Sequence, residues 1–123
     1  MDGTVGIIFR FQDYYNYYTF EIGGERKKFI QLKKNVLGKF TVLQKVDDRG
    51  YEAFKWYQVK LYVAGSQIKV FFNEAEAASE EAMSVEDEEL KEGTIGFSTF
   101  RTPCGFDKIK IHPLGDLPEE GLI

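Results

Sequence analysis

VGIIFRFQDYYNYYTFEI, residues 5–22, reads as one β-hairpin. Val5, Ile7, Phe9 and Phe11 alternate with Ile8 and Arg10, and a period of two marks a half-buried strand. Asp13-Tyr14-Tyr15-Asn16 supplies the tip, because Asp and Asn bond their own backbone and tolerate unusual dihedrals. Tyr18, Phe20 and Ile22 then face inward on the return strand, which Gly23-Gly24 ends.

The same reading extends outward. Residues 26–34 (RKKFIQLKK) have an apolar centre at Phe29, Ile30 and Leu32, flanked by Arg26, Lys27, Lys28, Lys33 and Lys34. Residues 39–46 place Phe40, Val42 and Val46 on one side. Residues 55–64 alternate Tyr57, Val59, Leu61 and Val63 with Gln58, Lys60 and Tyr62. Gly65-Ser66 is a Gly-first hairpin turn. Residues 67–73 pair back with Ile68, Val70 and Phe72 inward. Residues 94–100 and 106–112 add two strands. About eight strands with Gly-rich turns and no long helix predict an all-β sandwich or barrel.

The length of 123 residues fits one domain, expected over 1–113 with a tail at 114–123. The 43% apolar content suffices for a core, and 15% aromatic content favours strands. No apolar run approaches the roughly 18 residues of a membrane span, so direct membrane insertion is not expected. Met1-Asp2-Gly3 does not read as the start of a signal peptide, so the chain is expected to be either cytosolic or an excised piece of a longer protein. The single Cys104 permits no internal disulfide and has no activating motif beside it.

The net charge of −4 conceals an asymmetry. Residues 74–92 hold nine acids and Lys91, giving −8, and the remaining 15 bases and 11 acids give +4. EAEAASEEAMSVEDEELKE has helix-forming residues and no strand signal, so an acidic insertion loop or short surface helix is expected there. This loop can fold over the basic run. A pI near 5.1 argues against a nucleic-acid partner.

Four pieces occur in order: GIIFRFQDYYNYYTFEI (6–22), KWYQVKLYVAGSQIKVFFN (55–73), EGTIGFSTF (92–100) and GFDKIKI (105–111). This order resembles the concanavalin A-like lectin/glucanase superfamily. It looks most like the branch of laminin G-like, thrombospondin C-terminal and keto-disaccharide-hydrolase-like domains. The resemblance covers most of the chain and implies an antiparallel β-sandwich of the jelly-roll kind. It assigns Trp56 and Tyr57 to the scaffold. Such domains usually carry one to three strands before the FR strand. The chain is therefore expected to be an N-terminally incomplete copy, or to pair with a second polypeptide that completes the sheet.

The residues offer few sites for catalysis. Glucanases of the superfamily carry E-x-D-x-x-E on one strand, aimed into the cleft, and no such strand exists here. His112 has no Ser or Cys partner for a triad. Asp13, Asn16 and Asp107 are weak candidates for Ca²⁺, which takes six or more oxygens; turn-capping explains Asp13 and Asn16 equally well. No other cofactor is implied. The hairpin tip sets Tyr14, Tyr15 and Tyr17 beside Asn16, and rings pack on sugar C–H groups while amides bond hydroxyls. Arg10 joins this set from the neighbouring strand. The alternative reading makes Tyr17 and Tyr18 cross-strand packing residues and pairs Arg10 with an acid such as Glu21. Lys27 and Lys28 belong to a basic patch of the kind that laminin G-like relatives use for sulfated glycans, or they protect a sheet edge. The expectation is a non-catalytic recognition module of a larger secreted or surface protein, with a glycan or protein ligand. A structural assembly domain and a glycoside-hydrolase-like enzyme are the alternatives.

Overall fold

The computed structural model describes residues 3–24, 27–52, 54–74 and 80–100. The strand expected at 106–112, the tail, Arg26, Cys104, Asp107 and His112 lie outside them. The described elements are β1 (Thr4–Asp13), β2 (Asn16–Gly23), β3 (Phe29–Val36), β4 (Lys39–Asp47), β5 (Tyr57–Ala64), β6 (Gln67–Glu74), β7 (Glu81–Glu86) and β8 (Thr94–Phe100). The all-β class holds, and no helix occurs among the described residues.

The chain divides into two compact units, one of Met1–Phe54 with Glu89–Cys104 and one of Lys55–Glu88 with Gly105–Ile123. The first holds a five-stranded antiparallel sheet in the order β4-β3-β2-β1-β8. Its inner face is apolar. Phe20 stands between Ile7 and Leu32, Ile22 between Val5 and Ile30, and Phe9 opposes Tyr18. All but the strand-end Val5 are buried. Phe9 and Tyr18 stack with centroids 5.3 Å apart. Each such side chain contributes about 1.5–3 kcal/mol by leaving water. The Tyr18 hydroxyl accepts a hydrogen bond from the Leu90 amide at 3.2 Å, which pairs two buried polar groups that would each be costly alone.

The second unit holds β5-β6-β7. Leu61, Ile68, Val70 and Phe72 are buried on one face, as the alternation predicts. Ala64 pairs with Gln67 across the Gly65-Ser66 turn, where Gly65 takes a φ of 58°. Tyr57 stacks on Phe72 at 5.2 Å.

Four expectations are corrected. Phe11 does not share the face of Ile7 and Phe9: the register of β1 shifts between Ile8 and Phe11, and its ring meets Tyr17 on the opposite face. The acidic insertion is not simply a loop: Glu81–Glu86 is a strand paired with β6, with Val70 opposite Met83 and Ile68 opposite Val85. Met83 is 2% exposed. A three-residue apolar alternation among glutamates carries too little signal, and the pairing with β6 decides the structure. Phe40 and Val42 do not share a side with Val46. The β3–β4 register slips after Leu32, so Val46 faces Ile30 on the inner face while Val42 faces Lys33 on the outer. Trp56, assigned to the scaffold, precedes β5 and is 61% exposed.

Candidate functional site

The outer face of the five-stranded sheet carries the chemistry. Antiparallel register sets its rows. One row reads Ser98, Gly6, Glu21, Gln31, Lys45. The next reads Gly96, Ile8, Thr19, Lys33, Val42. The last reads Thr94 and Phe11, then, across the interrupted β1–β2 register, Tyr17, Asn35 and Phe40, at the end of the sheet where the β1–β2 hairpin turns.

That last row is aromatic. Phe11 lies 5.8 Å from Tyr17, with ring planes inclined by 32°. Tyr14 stands nearly perpendicular to Phe11 at 5.6 Å, and Phe40 nearly perpendicular to Tyr17 at 6.2 Å. Two half-buried rings thus sit between two more exposed ones, Tyr14 at 83% and Phe40 at 49%. Asn35 occupies the same row, 3% exposed, with its amide nitrogen donating to the Tyr14 carbonyl. Its carbonyl oxygen is buried without a hydrogen-bond partner, a condition that native structures rarely leave unexplained.

A polar cluster adjoins the row. The Glu21 carboxylate accepts from Gln31 Nε2 at 2.7 Å and meets Lys33 Nζ at 3.1 Å. Lys33 also lies 4.4 Å from the centre of the Phe40 ring. Lys33 and Glu21 are about four-fifths buried, at 21% and 19% side-chain exposure, so this pair is screened less than an ordinary surface pair.

The hairpin tip is braced by its own side chains. Asp13 Oδ1 accepts from the Tyr15 amide at 2.8 Å and from Asn16 Nδ2 at 3.0 Å. Asn16 Oδ1 accepts from the Leu37 amide, and the Tyr15 carbonyl accepts from the Gly38 amide. Two adjacent turns are locked together in this way, and Asp13 and Asn16 act as turn caps. No group of three potential metal ligands occurs among the described residues.

The sequence-derived residues thus distribute unevenly. Tyr14 and Tyr17 enter the aromatic row. Tyr15 turns toward Gly38 and is exposed. Arg10 sends its guanidinium to the Leu90 carbonyl at 2.9 Å, and Glu21, weighed as its partner, is engaged by Lys33 and Gln31. Lys27 is exposed before β3, and Lys28 faces Glu52 at 3.7 Å. The basic run does not form one patch. Lys33 is on the outer face, whereas Lys34 shares the inner face with Tyr18 and reaches Glu89 at 3.7 Å. The acidic segment does fold onto a basic residue there. Sequence reasoning missed Phe11 and Phe40 as members of the row, because a register slip that no local pattern announces separates each from the core-facing residues of its strand.

A family model described as the 3-keto-alpha-glucoside-1,2-lyase-like domain matches residues 2–112. The chain belongs to this family. Among solved structures, the lyase-like domain resembles the carbohydrate-binding module CBM66 from Bacillus subtilis, with a TM-score of 0.65 at 18% identity. The match covers 79% of this chain and 56% of the module, so the chain spans little more than half of that relative's length. The likeness establishes a shared all-β fold. No curated protein matches the chain.

Proposed function

We propose that this lyase-like domain is a glycan-recognition module. Its sugar lies on the outer face of the five-stranded sheet, across Phe11, Tyr17 and Phe40. One observation carries the reading: a row of accessible ring faces next to a half-buried, hydrogen-bonded cluster of Glu21, Gln31 and Lys33. Ring faces take the apolar side of a sugar, and preorganised polar groups beside them take its hydroxyls. The shared fold with a carbohydrate-binding module from Bacillus subtilis supports this.

The ligand class is neutral rather than sulfated. Lys28, Lys33, Lys34 and Lys45 each face an acid of the same chain. An anionic sugar would have to compete with those carboxylates. We further propose that the module serves a larger secreted or surface protein.

Affinity electrophoresis through gels containing neutral polysaccharides tests the reading. The wild type should be retarded by at least one neutral polysaccharide, and Tyr17→Ala should migrate as in an empty gel. Equal migration of the wild type in every gel would end the proposal.

A second, catalytic reading has one observation in its favour. The family description names a lyase, and Glu21 is a carboxylate on this face held between two donors. Release of reducing sugar from a retained polysaccharide, abolished by Glu21→Gln, would select it over binding alone.

A further inference from the structure

Strand β1 is irregular at one place, and both of its neighbours register it. Against β8, Ile8 pairs with Gly96 and Phe11 with Thr94, so three steps along β1 match two along β8. Against β2 the register shifts in the same interval, between Phe9 and Asp13. Arg10 lies inside both intervals with a φ of 49°. That left-handed conformation is costly for a residue bearing a Cβ. A regular strand would put Phe11 on the buried face with Ile7 and Phe9. The bulge instead turns Phe11 to the outer face, where it meets Tyr14 and Tyr17.

Two features hold the bulge in place. Arg10 Nη1 donates to the Leu90 carbonyl at 2.9 Å. Gly93, with a φ of 148°, lies so close that a Cβ there would run into the Arg10 carbonyl carbon and the Phe11 backbone. β-Bulges commonly re-aim a side chain beside a functional site.

We infer that Arg10 is the positioning residue of the aromatic row, because its left-handed bulge moves Phe11 from the core face to the ligand face. The inference rests on the reading of that row as the sugar-binding surface. The guanidinium anchors the bulge from behind, so Arg10 acts on a ligand through Phe11.

Two substitutions test this on the full chain. Glycine enters the left-handed region freely. Arg10→Gly removes the anchor together with the penalty it offsets, and therefore keeps the bulge, with nuclear Overhauser contacts between the Phe11 and Tyr17 rings intact. Valine resists that conformation and favours a regular strand. Arg10→Val loses those contacts, and its retention on a polysaccharide gel that retards the wild type falls about tenfold, the scale of one lost aromatic contact. Should Arg10→Val fail to fold, Arg10→Ala keeps arginine's backbone penalty and removes the guanidinium anchor that offsets it, so it too loses those contacts. Ring contacts that persist in the valine or alanine variant, or vanish in the glycine variant, overturn the inference. The ring contacts are read without ligand. A wild type retarded by no gel therefore removes the glycan reading while the spectra still decide the role of Arg10.

Discussion

Phe9 and Phe11 lie on opposite faces of strand β1. Phe9 is buried against Tyr18, with centroids 5.3 Å apart, and Phe11 packs against Tyr17 on the other side at 5.8 Å. Two positions of the same parity in a regular strand share a face. Their separation is the consequence of Arg10, and it divides the sheet's aromatic residues into a core set and a surface set.

Gly93 is the position where this arrangement tolerates least. Gly93→Ala drives a Cβ into the backbone of Arg10 and Phe11 and also strains its own φ. A loss of about 1–3 kcal/mol is expected by urea unfolding, the range for a backbone forced into a sparse region. Thr94→Ala, next to it and exposed, should stay within about 0.5 kcal/mol of the wild type. Equal stability of the two variants would contradict the close approach at Gly93.

Tyr14 and Phe40 should separate binding from folding. Both are exposed. Tyr14→Ala and Phe40→Ala are expected to unfold within about 0.5 kcal/mol of the wild type. Their retention in a polysaccharide gel that holds the wild type should nonetheless weaken. Lost stability with unchanged retention would make these rings packing residues.

Much of the fold was legible because apolar alternation is a local property. Tyr18, Phe20 and Ile22, and likewise Ile68, Val70 and Phe72, are buried as their spacing predicts. The candidate site was legible only in part. Tyr14 and Tyr17 announced themselves at the hairpin tip. Phe11 and Phe40 did not, since each is parted from the core-facing residues of its strand by a slip that depends on the partner strand: at Arg10 in β1, and between the residues opposite Leu32 and Lys33 in β4. An arginine carries no propensity signal for a positive φ. β7 was hidden for another reason. Met83 and Val85 alternate among glutamates, and the strand exists through its partner β6.

β7 gives a clean contrast between neighbours. Met83→Ala removes a buried side chain and should cost about 2–5 kcal/mol. Glu81→Ala changes an exposed position of the same strand and should be nearly neutral. Chemical denaturation of the two variants checks this. A neutral Met83→Ala would return residues 81–86 to the status of a solvated loop.

The segment after β7 is fastened by single side chains. The Leu90 amide donates to Tyr18 OH, the Leu90 carbonyl accepts from Arg10, and the Glu92 carbonyl accepts from Gln12 Nε2 at 3.2 Å. Tyr18→Phe leaves the buried Leu90 amide without its acceptor, a penalty of about 1–3 kcal/mol. Amide exchange at Leu90 should accelerate accordingly. Unchanged protection there would mean that the hydroxyl does not fasten the segment.

The most direct test of the site is a ¹³C-resolved aromatic spectrum of the intact chain, recorded during titration with the oligosaccharide of whichever neutral polysaccharide retards it. The account predicts that the Phe11, Tyr17 and Phe40 ring signals shift together along one saturation curve while those of Phe9, Phe20 and Tyr57 stay in place. Saturable shifts confined to Trp56 or to the rings of β5 and β6, with the outer aromatic row silent, would place the sugar elsewhere and contradict it.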